Sequence, residues 1–256
     1  MNTLTVCALG PTPYGEGVAL QEGLVAARAE GRTGDWLLYP DHPRVLTVGR
    51  NPSQGNLRLD RAALASRGLE VFEVPRGGDI TWHGPGQLVG YPVVQLDRVD
   101  RDLHRWLRML EEAMIRVLVR HGLTGLRSPG RTGVWLSEER KIASIGVAVR
   151  RWVGYHGFAL NIAPDLSDFE QCIHPCGLHG IRMTSMAEAL GSGAPSLAQV
   201  REEVTAELVA LLGYTDLKVA SGDTAREVAG IAADSITSRP QNPAGSGPLS
   251  QGVNPW

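Results

Sequence analysis

The sequence predicts an α+β fold in which helices cover a sheet. Segments typical of strands outnumber helices in the middle of the chain, and helical patterns lie near both ends. The 256 residues are 43% apolar and 20% charged, a composition that supports a buried core and argues against disorder as a whole. We therefore expect one catalytic-size domain over residues 1–220 and a separate tail over residues 221–256.

The first half of the chain alternates helical periodicity with short apolar runs. Apolar side chains recur at three and four residues from Leu20 onward, as on one face of a helix. The next runs stop at Pro40 and Gly49, as strands do at residues that break regular structure. The elements predicted here are, in chain order, a helix over 18–28, strands over 36–39 and 45–48, a short helix over 59–67 and a strand over 71–74.

The second half contains the clearest helix of the chain. Its apolar side chains repeat at helical spacing up to Gly122, and glycine commonly terminates a helix. The elements predicted here are, in chain order, a strand over 88–96, a helix over 103–121 and strands over 133–136, 141–150 and 155–162. A β-meander is the simplest arrangement of the last three strands.

Two capping boxes predict the last helices. Ser185 precedes Glu188 by three residues, Ser196 precedes Gln199 in the same way, and each pair introduces an apolar helical run. The apolar pattern decays after Leu217, and the C-terminal residues are rich in Pro, Gly and Ser without periodicity. We therefore expect the tail over 221–256 to be disordered.

Charge and hydropathy exclude several classes of protein. The 25 basic and 27 acidic side chains give a net charge of −2, which argues against a dedicated nucleic-acid binder but leaves carrier proteins as partners. No apolar run approaches the roughly 20 residues of a membrane span. No basic residue precedes Arg28, so we expect neither a secretory signal nor a membrane partner, and a cytoplasmic location.

Lysine and cysteine are both scarce. Lys141 and Lys218 are the only lysines among the 25 basic residues, and Cys7, Cys172 and Cys176 are the only cysteines. An odd, low number of cysteines is no disulfide framework, so each should be a thiol in a reducing compartment.

A glycine-rich segment over residues 76–87 contains arginine, threonine, histidine and glutamine side chains. Because glycines let a backbone approach a ligand closely, the segment is a candidate binding site, and an ordinary connection between strands is the alternative. It is not a phosphate-binding loop of the Walker type, because it lacks the lysine followed by serine or threonine.

Lys141 begins an apolar run over 142–149 that is typical of a buried strand. A partly desolvated lysine can shift its pKa toward neutrality and act as a base, a task that arginine cannot perform. The alternative is a lysine at a strand end whose ammonium group reaches water.

Two cysteines and two histidines lie within residues 172–179. Four ligands so close together do not match the usual paired spacing of a zinc site, so we expect no metal. The Pro-Cys-Gly tripeptide around Cys176 places one thiol in a tight bend that a substrate can reach. Cys172 and Cys7 fit better the buried structural thiol that is the commonest fate of a free cysteine.

A longer pattern runs through these segments. Its first block consists of Arg76-Gly77-Gly78, Thr81, His83, Gly86-Gln87 and Tyr91, with the aromatic Trp82 between them, and later blocks follow at 133–135, 141–146, 156–161 and 175–177. In this order and spacing the blocks resemble the octanoyltransferases of lipoate biosynthesis, the lipoyl(octanoyl) transferase family. The resemblance covers about residues 10–215 and leaves the tail and Cys172 outside.

The resemblance implies both a fold and a site. The fold would be the catalytic domain shared by biotin and lipoate protein ligases, a mixed sheet flanked by helices. Cys176 would be the acyl-thioester nucleophile and Lys141 its partner in a Cys-Lys dyad, with no cofactor. The substrate-binding residues implied are Arg76, Gly77, Gly78, Asp79, Ile80, Thr81, Trp82, His83, Ser144, Ile145, Gly146, Gly157, Phe158 and Ala159.

The implied activity is the first step of endogenous protein lipoylation. An octanoyl group would pass from octanoyl-acyl carrier protein to a specific lysine of lipoyl domains, those of 2-oxoacid dehydrogenase complexes and of the glycine cleavage H protein. Because transfer from sulfur to nitrogen yields the more stable amide, neither ATP nor a metal is required.

Acyl transfer through a cysteine gives the remaining groups their roles. A cationic Lys141 would favour the Cys176 thiolate, and a neutral Lys141 could accept the proton of the incoming amine. Backbone N–H groups near Gly77-Gly78 and near Cys176-Gly177 are both candidates for stabilising the oxyanion. Strand residues that could line a slot for the acyl chain are Ile145, Val147 and Phe158.

Two other functions stay open at this point. One is an ATP-dependent lipoate or biotin protein ligase, which would need a basic, glycine-rich nucleotide loop and no catalytic cysteine. The other is a catalytically inactive carrier-binding module, which would keep the glycine-rich segment yet tolerate loss of Cys176. The presence or absence of an ATP-independent acyl-enzyme separates all three.

Overall fold

The computed structural model describes residues 2–52, 56–173 and 180–231. The expected nucleophile Cys176 and residues 232–256 of the expected tail lie outside these ranges. Within the described ranges, no helix is both long and apolar enough to cross a membrane.

Every helix and strand predicted above is present, with bounds that differ by a few residues. The strands are β1 (Thr3–Pro11), β2 (Asp35–Asp41), β3 (Val45–Val48), β4 (Glu70–Glu73), β5 (Ile80–His83), β6 (Gln87–Gln95), β7 (Leu126–Ser128), β8 (Arg131–Trp135), β9 (Arg140–Arg150), β10 (Val153–Asn161), β11 (Arg182–Met183) and β12 (Asp216–Val219). The helices are α1 (Tyr14–Ala29), α2 (Arg61–Ser66), α3 (Leu103–Arg120), α4 (Ser167–Cys172), α5 (Met186–Leu190), α6 (Leu197–Leu212) and α7 (Gly222–Ala229).

The strands form one large mixed sheet and one small sheet. The large sheet has the order β12-β1-β2-β6-β10-β9-β8-β7, with β11 paired to β9 off this path. Pairing is parallel from β12 to β2 and antiparallel from β2 to β7, so the predicted meander of β8, β9 and β10 is confirmed. The small sheet has the order β4-β3-β5 and carries the glycine-rich segment.

Helices cover both faces of the large sheet. Helices α3 and α6 pack against one face, where Trp106, Met114 and Val204 meet Leu160 of β10 in one apolar cluster. Helices α1 and α7 cover the other face, where Leu24 and Ala225 belong to a second cluster with Ala159. Neighbouring residues of β10 thus point to opposite clusters, as the two-residue period of a strand requires. The predicted mixed sheet flanked by helices is confirmed.

The two late helices begin at the residues that the capping boxes predict. The Ser185 hydroxyl accepts a hydrogen bond from the Glu188 backbone N–H at 3.1 Å, and Ser196 accepts one from Gln199 at 3.2 Å. The carboxylate of Glu188 accepts from Thr184 Oγ1 and from Arg182. These contacts attach α5 to β11, next to the strand that carries Lys141.

The tail prediction is wrong at its beginning. Residues 222–229 form α7, whose first turn is capped by Ser221 and whose Arg226 pairs with the carboxylate of Glu16 at 2.7 Å. Ala225 is fully buried against the face of the large sheet. The helix escapes detection in the sequence because it is only 8 residues long and its apolar face consists of the small set Ala225, Val228 and Ala229.

Candidate active site

A cavity of about 340 Å³ lies between β5 of the small sheet and β9 and β10 of the large sheet. Most residues that the sequence motifs single out line this one cavity, although they come from three separate stretches of the chain. Those residues are Arg76, Gly78, Asp79, Ile80, Thr81, His83, Lys141, Ser144, Ile145, Gly146, Gly157, Phe158 and Ala159.

Two predicted binding residues and one predicted slot residue do not line the cavity. Trp82 is buried on the other side of β5, packed with Leu46 and Cys172, because alternate residues of a strand face opposite ways. The Gly77 N–H donates to the carbonyl oxygen of Val147 at 2.9 Å. This bond joins the glycine-rich segment to β9 and leaves Val147 beneath that segment, away from the cavity.

Lys141 lies at the start of β9 and is only 8% exposed. Its Nζ is 5.3 Å from the centre of the Trp135 ring on the neighbouring strand β8. Its backbone carbonyl accepts a hydrogen bond from the Thr184 N–H at 2.9 Å. Backbone pairing on both sides therefore fixes the strand from which the Lys141 side chain enters the cavity. The alternative, a lysine at a strand end whose ammonium group reaches water, is wrong for Lys141.

Gly133 makes room for the lysine side chain. It has a φ of +125°, and a Cβ placed there would lie 2.5 Å from the Ala143 carbonyl oxygen, 2.6 Å from Lys141 Cε and 3.2 Å from Nζ. A side chain at this position would therefore clash with the backbone of β9 and displace the amine. Gly133 itself does not line the cavity and acts through the neighbouring strand, whereas Arg131 and Thr132 just before it line the cavity directly.

Arg76 places a buried guanidinium group at the cavity wall, where it is 7% exposed. Its hydrogen bonds go to neutral oxygens, the carbonyl and hydroxyl of Thr47 at 2.9 and 2.8 Å and the Gly77 carbonyl at 3.1 Å. Burial lowers its pKa, but an arginine keeps its proton in a protein. Arg76 Nε, Thr81 Oγ1 and His156 Nε2 are buried without a partner in the described part of the chain, so the cavity offers them to a polar ligand.

A cluster of tyrosine and histidine side chains forms the inner wall. The His42 Nδ1 lies 2.8 Å from the carbonyl oxygen of Thr12, which can only accept, so Nδ1 carries the proton. His42 Nε2 is therefore the acceptor of a 2.8 Å hydrogen bond from the Tyr91 hydroxyl. The Tyr14 ring stacks on His83 at 5.9 Å between ring centres, and the His83 side chain closes this wall.

These histidines are neutral at physiological pH. Burial lowers the pKa of His42 to about 4, and burial with nearby positive charge lowers the pKa of His83 and of His156 to about 3. Burial also raises the pKa of Tyr14 to about 12, so its hydroxyl stays protonated. The cavity therefore combines the uncharged polar wall of Tyr14, His83 and His156 with the guanidinium group of Arg76, and the side chains of Asp79, Arg131 and Lys141 also belong to its polar lining.

Sequence reasoning missed part of this wall. Tyr91 and His156 belong to the motif blocks without having been assigned a role, so a signal for them existed. Tyr14 lines the cavity and His42 packs behind it, against Tyr14 and Tyr91. Neither Tyr14 nor His42 belongs to a block, and only the packing of α1 beside the end of β2 brings them together.

Both described cysteines are structural, as expected. Cys7 and Cys172 are fully buried, the first in β1 and the second in α4, and burial raises the pKa of each thiol. Among the described residues, no three His, Cys, Asp or Glu side chains are grouped to hold a metal ion.

The family comparison matches most of the chain. A family model described as the lipoyl protein ligase A/B catalytic domain matches residues 13–209. Octanoyltransferases from Geobacter metallireducens and Syntrophotalea carbinolica are each 47% identical over 204 residues, which cover 80% of this chain and 91 and 92% of theirs. An octanoyltransferase from Myxococcus xanthus is 44% identical over 209 residues, and the chain spans 58% of its length.

Solved structures share the fold at low sequence identity. A bi-partite lipoate protein ligase from Thermoplasma acidophilum, studied with its E2 lipoyl domain, has a TM-score of 0.70 at 16% identity and covers 92% of both chains. Lipoate-protein ligase A bound with ATP has a TM-score of 0.69 at 16% identity and covers 92% of this chain and 94% of its own. Biotin protein ligase from Aquifex aeolicus, in complex with biotin and ATP, has a TM-score of 0.51 at 11% identity, with 83% and 71% covered. At such identities the likeness shows the fold alone.

Proposed function

Because the chain belongs to the octanoyltransferases, acyltransferases with the lipoyl protein ligase A/B catalytic domain, we propose the following reaction. An octanoyl group passes from octanoyl-acyl carrier protein to a specific lysine of a lipoyl domain, through a thioester on Cys176. The observation that carries the proposal is the buried amine of Lys141 in a cavity lined by the family's motif residues. The acceptors are lipoyl domains of 2-oxoacid dehydrogenase complexes and of the glycine cleavage H protein.

The first half-reaction acylates the enzyme. The Cys176 thiolate attacks the thioester carbonyl carbon, a new carbon–sulfur bond forms, and the bond to the carrier sulfur breaks. The carrier thiolate takes up the proton of the Lys141 ammonium group and leaves as a thiol, so Lys141 becomes neutral. A nearby ammonium group lowers the pKa of a cysteine, which is about 8.5 when unperturbed, by one unit or more. Cys7 and Cys172 are buried with raised pKa values, so neither is suited to supply this thiolate.

The second half-reaction forms the amide. The neutral amine of the acceptor lysine attacks the octanoyl carbon, the enzyme thioester bond breaks, and Cys176 returns as a thiolate. The attacking nitrogen loses one proton in this step. Lys141 accepts it in its neutral form and so returns to the ammonium form that the next acylation needs.

Each tetrahedral intermediate needs donors for its oxyanion. The Gly77 N–H is already bonded to Val147, so it is not free for this task. Candidates are the N–H groups of Gly78 and of the Cys176 bend, together with Arg76 Nε–H, which has no partner in the described ranges. Losing one such donor typically costs about 3 kcal/mol of transition-state stabilisation.

The acyl chain has an apolar part of the cavity available to it. Ile145 of β9 and Phe158 of β10 line the cavity and are direct partners in the pairing of these strands. Each methylene buried against such side chains contributes about 0.8 kcal/mol. Acyl chains one methylene longer or shorter than octanoyl should therefore react more slowly but detectably.

The test is a mass measurement of the intact protein after mixing with octanoyl-acyl carrier protein in the absence of ATP. We expect one octanoyl adduct on a peptide that contains Cys176. Cys176→Ala should abolish the adduct, and the matched control Cys172→Ala should keep it. An unmodified protein, or one that gains octanoate only with ATP and the free acid, would overturn the proposal in favour of a binding module or a ligase.

A further inference from the structure

A continuous chain of buried hydrogen bonds connects the backbone of Lys141 with the ring of His83. The Thr184 N–H donates to the Lys141 carbonyl at 2.9 Å, and the Thr184 carbonyl accepts from Asn161 Nδ2 at 2.9 Å. Asn161 Oδ1 accepts from Gln87 Nε2 at 3.0 Å, and Gln87 Oε1 lies 2.8 Å from His83 Nδ1. Each of the last four residues is buried.

The orientation of every group in this chain follows from two backbone carbonyls. The Thr184 carbonyl can only accept, so the NH2 group of Asn161 faces it and Oδ1 faces Gln87. Gln87 then presents its NH2 group to Asn161 Oδ1 and also to the Trp82 carbonyl at 3.2 Å. Its oxygen is left facing His83, and Nδ1 of His83 must carry the proton.

Strand pairing holds the two amides together. Asn161 and Gln87 are direct partners in the antiparallel pairing of β10 with β6, so their side chains lie on the same face. Neither residue lines the cavity, and each acts on it through His83. Burial keeps the His83 ring neutral, with a pKa lowered to about 3, so Nε2 holds a lone pair and no proton.

We propose that Gln87 and Asn161 are positioning residues that fix His83 in its Nδ1–H form, so that Nε2 accepts a hydrogen bond from the incoming lysine amine. This inference rests on the proposed function and names the group that receives the acceptor. An Nε2 acceptor orients a primary amine through one of its N–H groups while the nitrogen lone pair attacks the thioester. If the His83 proton were on Nε2 instead, the Nε2–H group would donate a hydrogen bond to the amine lone pair and so hinder its attack on the thioester.

The first test reads the tautomer directly. In protein with 15N-labelled histidine, long-range proton–nitrogen correlation spectra should show the His83 proton on Nδ1. Gln87→Met removes the acceptor and should move the proton wholly or partly to Nε2, whereas Gln87→Glu keeps an oxygen at this place and should keep the proton on Nδ1. A wild-type proton on Nε2, or an unchanged tautomer in Gln87→Met, overturns the proposal.

The second test separates the half-reactions. Transfer from the isolated octanoyl-enzyme to a lipoyl domain should slow about tenfold or more in Gln87→Met, the effect of one lost hydrogen bond, while acylation changes less than about threefold. Gln95→Met is the matched control, because Gln95 ends the same strand and donates to Asp97 away from the cavity. Equal slowing of both half-reactions, or slowing of acylation alone, overturns the assignment to the amine. Absence of any octanoyl-enzyme in wild-type protein would instead reject the proposed function.

Discussion

Lys141 is held by its surroundings more closely than a surface lysine would be. Lys141→Arg keeps a positive charge but removes the group that can lose a proton, and the larger guanidinium meets the backbone of Gly133. We expect transfer to a lipoyl domain to fall by about 10²-fold or more. Stopped-flow or quenched measurement of single-turnover transfer checks this.

The second lysine of the chain is a matched control for that substitution. Lys218 lies on the exposed edge strand β12, and Lys218→Arg should leave both half-reactions at their normal rate. If the Lys141→Arg protein transfers as fast as wild type, Lys141 is not the base, and its role is limited to its positive charge.

Gly133 packs against both the Lys141 side chain and the backbone of β9. Gly133→Ala would place a methyl group 2.6 Å from Lys141 Cε and 2.5 Å from the Ala143 carbonyl oxygen, so both the amine and the backbone beside it must shift. A misplacement of about 1 Å at a reacting group can cost 10²-fold in rate. We therefore expect slow acylation and slow transfer together. The control is Gly122→Ala, where φ is also positive but no heavy atom lies within 4 Å of the new methyl group. Normal turnover in Gly133→Ala would contradict the packing argument.

The residues of the site differ in how far the sequence reveals them. Arg76 and His83 are seven residues apart in one motif, so their shared place could be predicted. Tyr14 reaches the same cavity from α1, His42 packs behind it from the end of β2, and nothing in either local sequence marks them. A sequence motif identifies residues that are close along the chain, whereas the residues of this wall come together only when a helix packs on the sheet.

At the scale of elements, one buried carboxylate ties several segments together. Asp35, at the start of β2, accepts hydrogen bonds from Arg28 of α1 at 2.7 Å and from Arg98 at 2.9 Å. It also accepts from the Tyr214 hydroxyl at 2.8 Å and from the Gln95 N–H at 3.0 Å. A single side chain therefore links α1 with the segment that follows β6 and with Tyr214, just after the end of α6.

Asp35→Asn should destabilise the fold strongly. The amide removes the negative charge that the two partly exposed arginines Arg28 and Arg98 face. Breaking a buried ion pair typically lowers the free energy of unfolding by about 3–5 kcal/mol, and we expect a loss of this size. Urea unfolding followed by circular dichroism measures the loss. Glu73→Gln is the control, because Glu73 pairs with Arg61 in water and such exposed pairs contribute about 1 kcal/mol or less. Similar losses in the two variants would contradict the role of Asp35.

The elements that the sequence predicts best are those with long, one-sided apolar patterns. Helix α3 repeats its apolar side chains over 18 residues, and its predicted end was wrong by one residue. Strand β12 has all four residues exposed, so it gives no apolar pattern to detect. Helix α7 has an apolar face of Ala225, Val228 and Ala229, but its 8 residues are too few to distinguish it. Short elements at the edge of a sheet are stabilised by neighbours that lie far away in sequence, which local periodicity does not record.

For the whole molecule, the neutral histidines His83 and His156 in the cavity and His42 behind it predict sensitivity to acid. Their folded pKa values, about 4 for His42 and about 3 for His83 and His156, lie below the unfolded value of about 6.5. The unfolded chain therefore binds more protons at acid pH. Stability is fully present above about pH 6.5 and is lost as the pH falls toward the folded values.

We expect the free energy of unfolding to fall by up to about 4 kcal/mol per pH unit below pH 6, from about 1.4 kcal/mol for each histidine. Denaturant unfolding at a series of pH values measures this slope. His156→Gln should reduce it by about a third, and replacing the exposed His104 with glutamine should leave it unchanged. A slope that is the same in all three proteins would show that the cavity histidines are not its source.

The parallel pairing of β1 with β12 joins two strands that lie far apart in the sequence, so this part of the large sheet can fold only late. It places Thr3 beside Asp216, so one edge of the first strand stays open on the nascent chain until nearly all described residues have left the ribosome. Pairing between residues so distant in sequence is slow to form, although the entropy of closing a long loop grows only slowly with its length. Until then, this edge of β1 is available for mispairing. That exposure ends when residues 216–219 arrive.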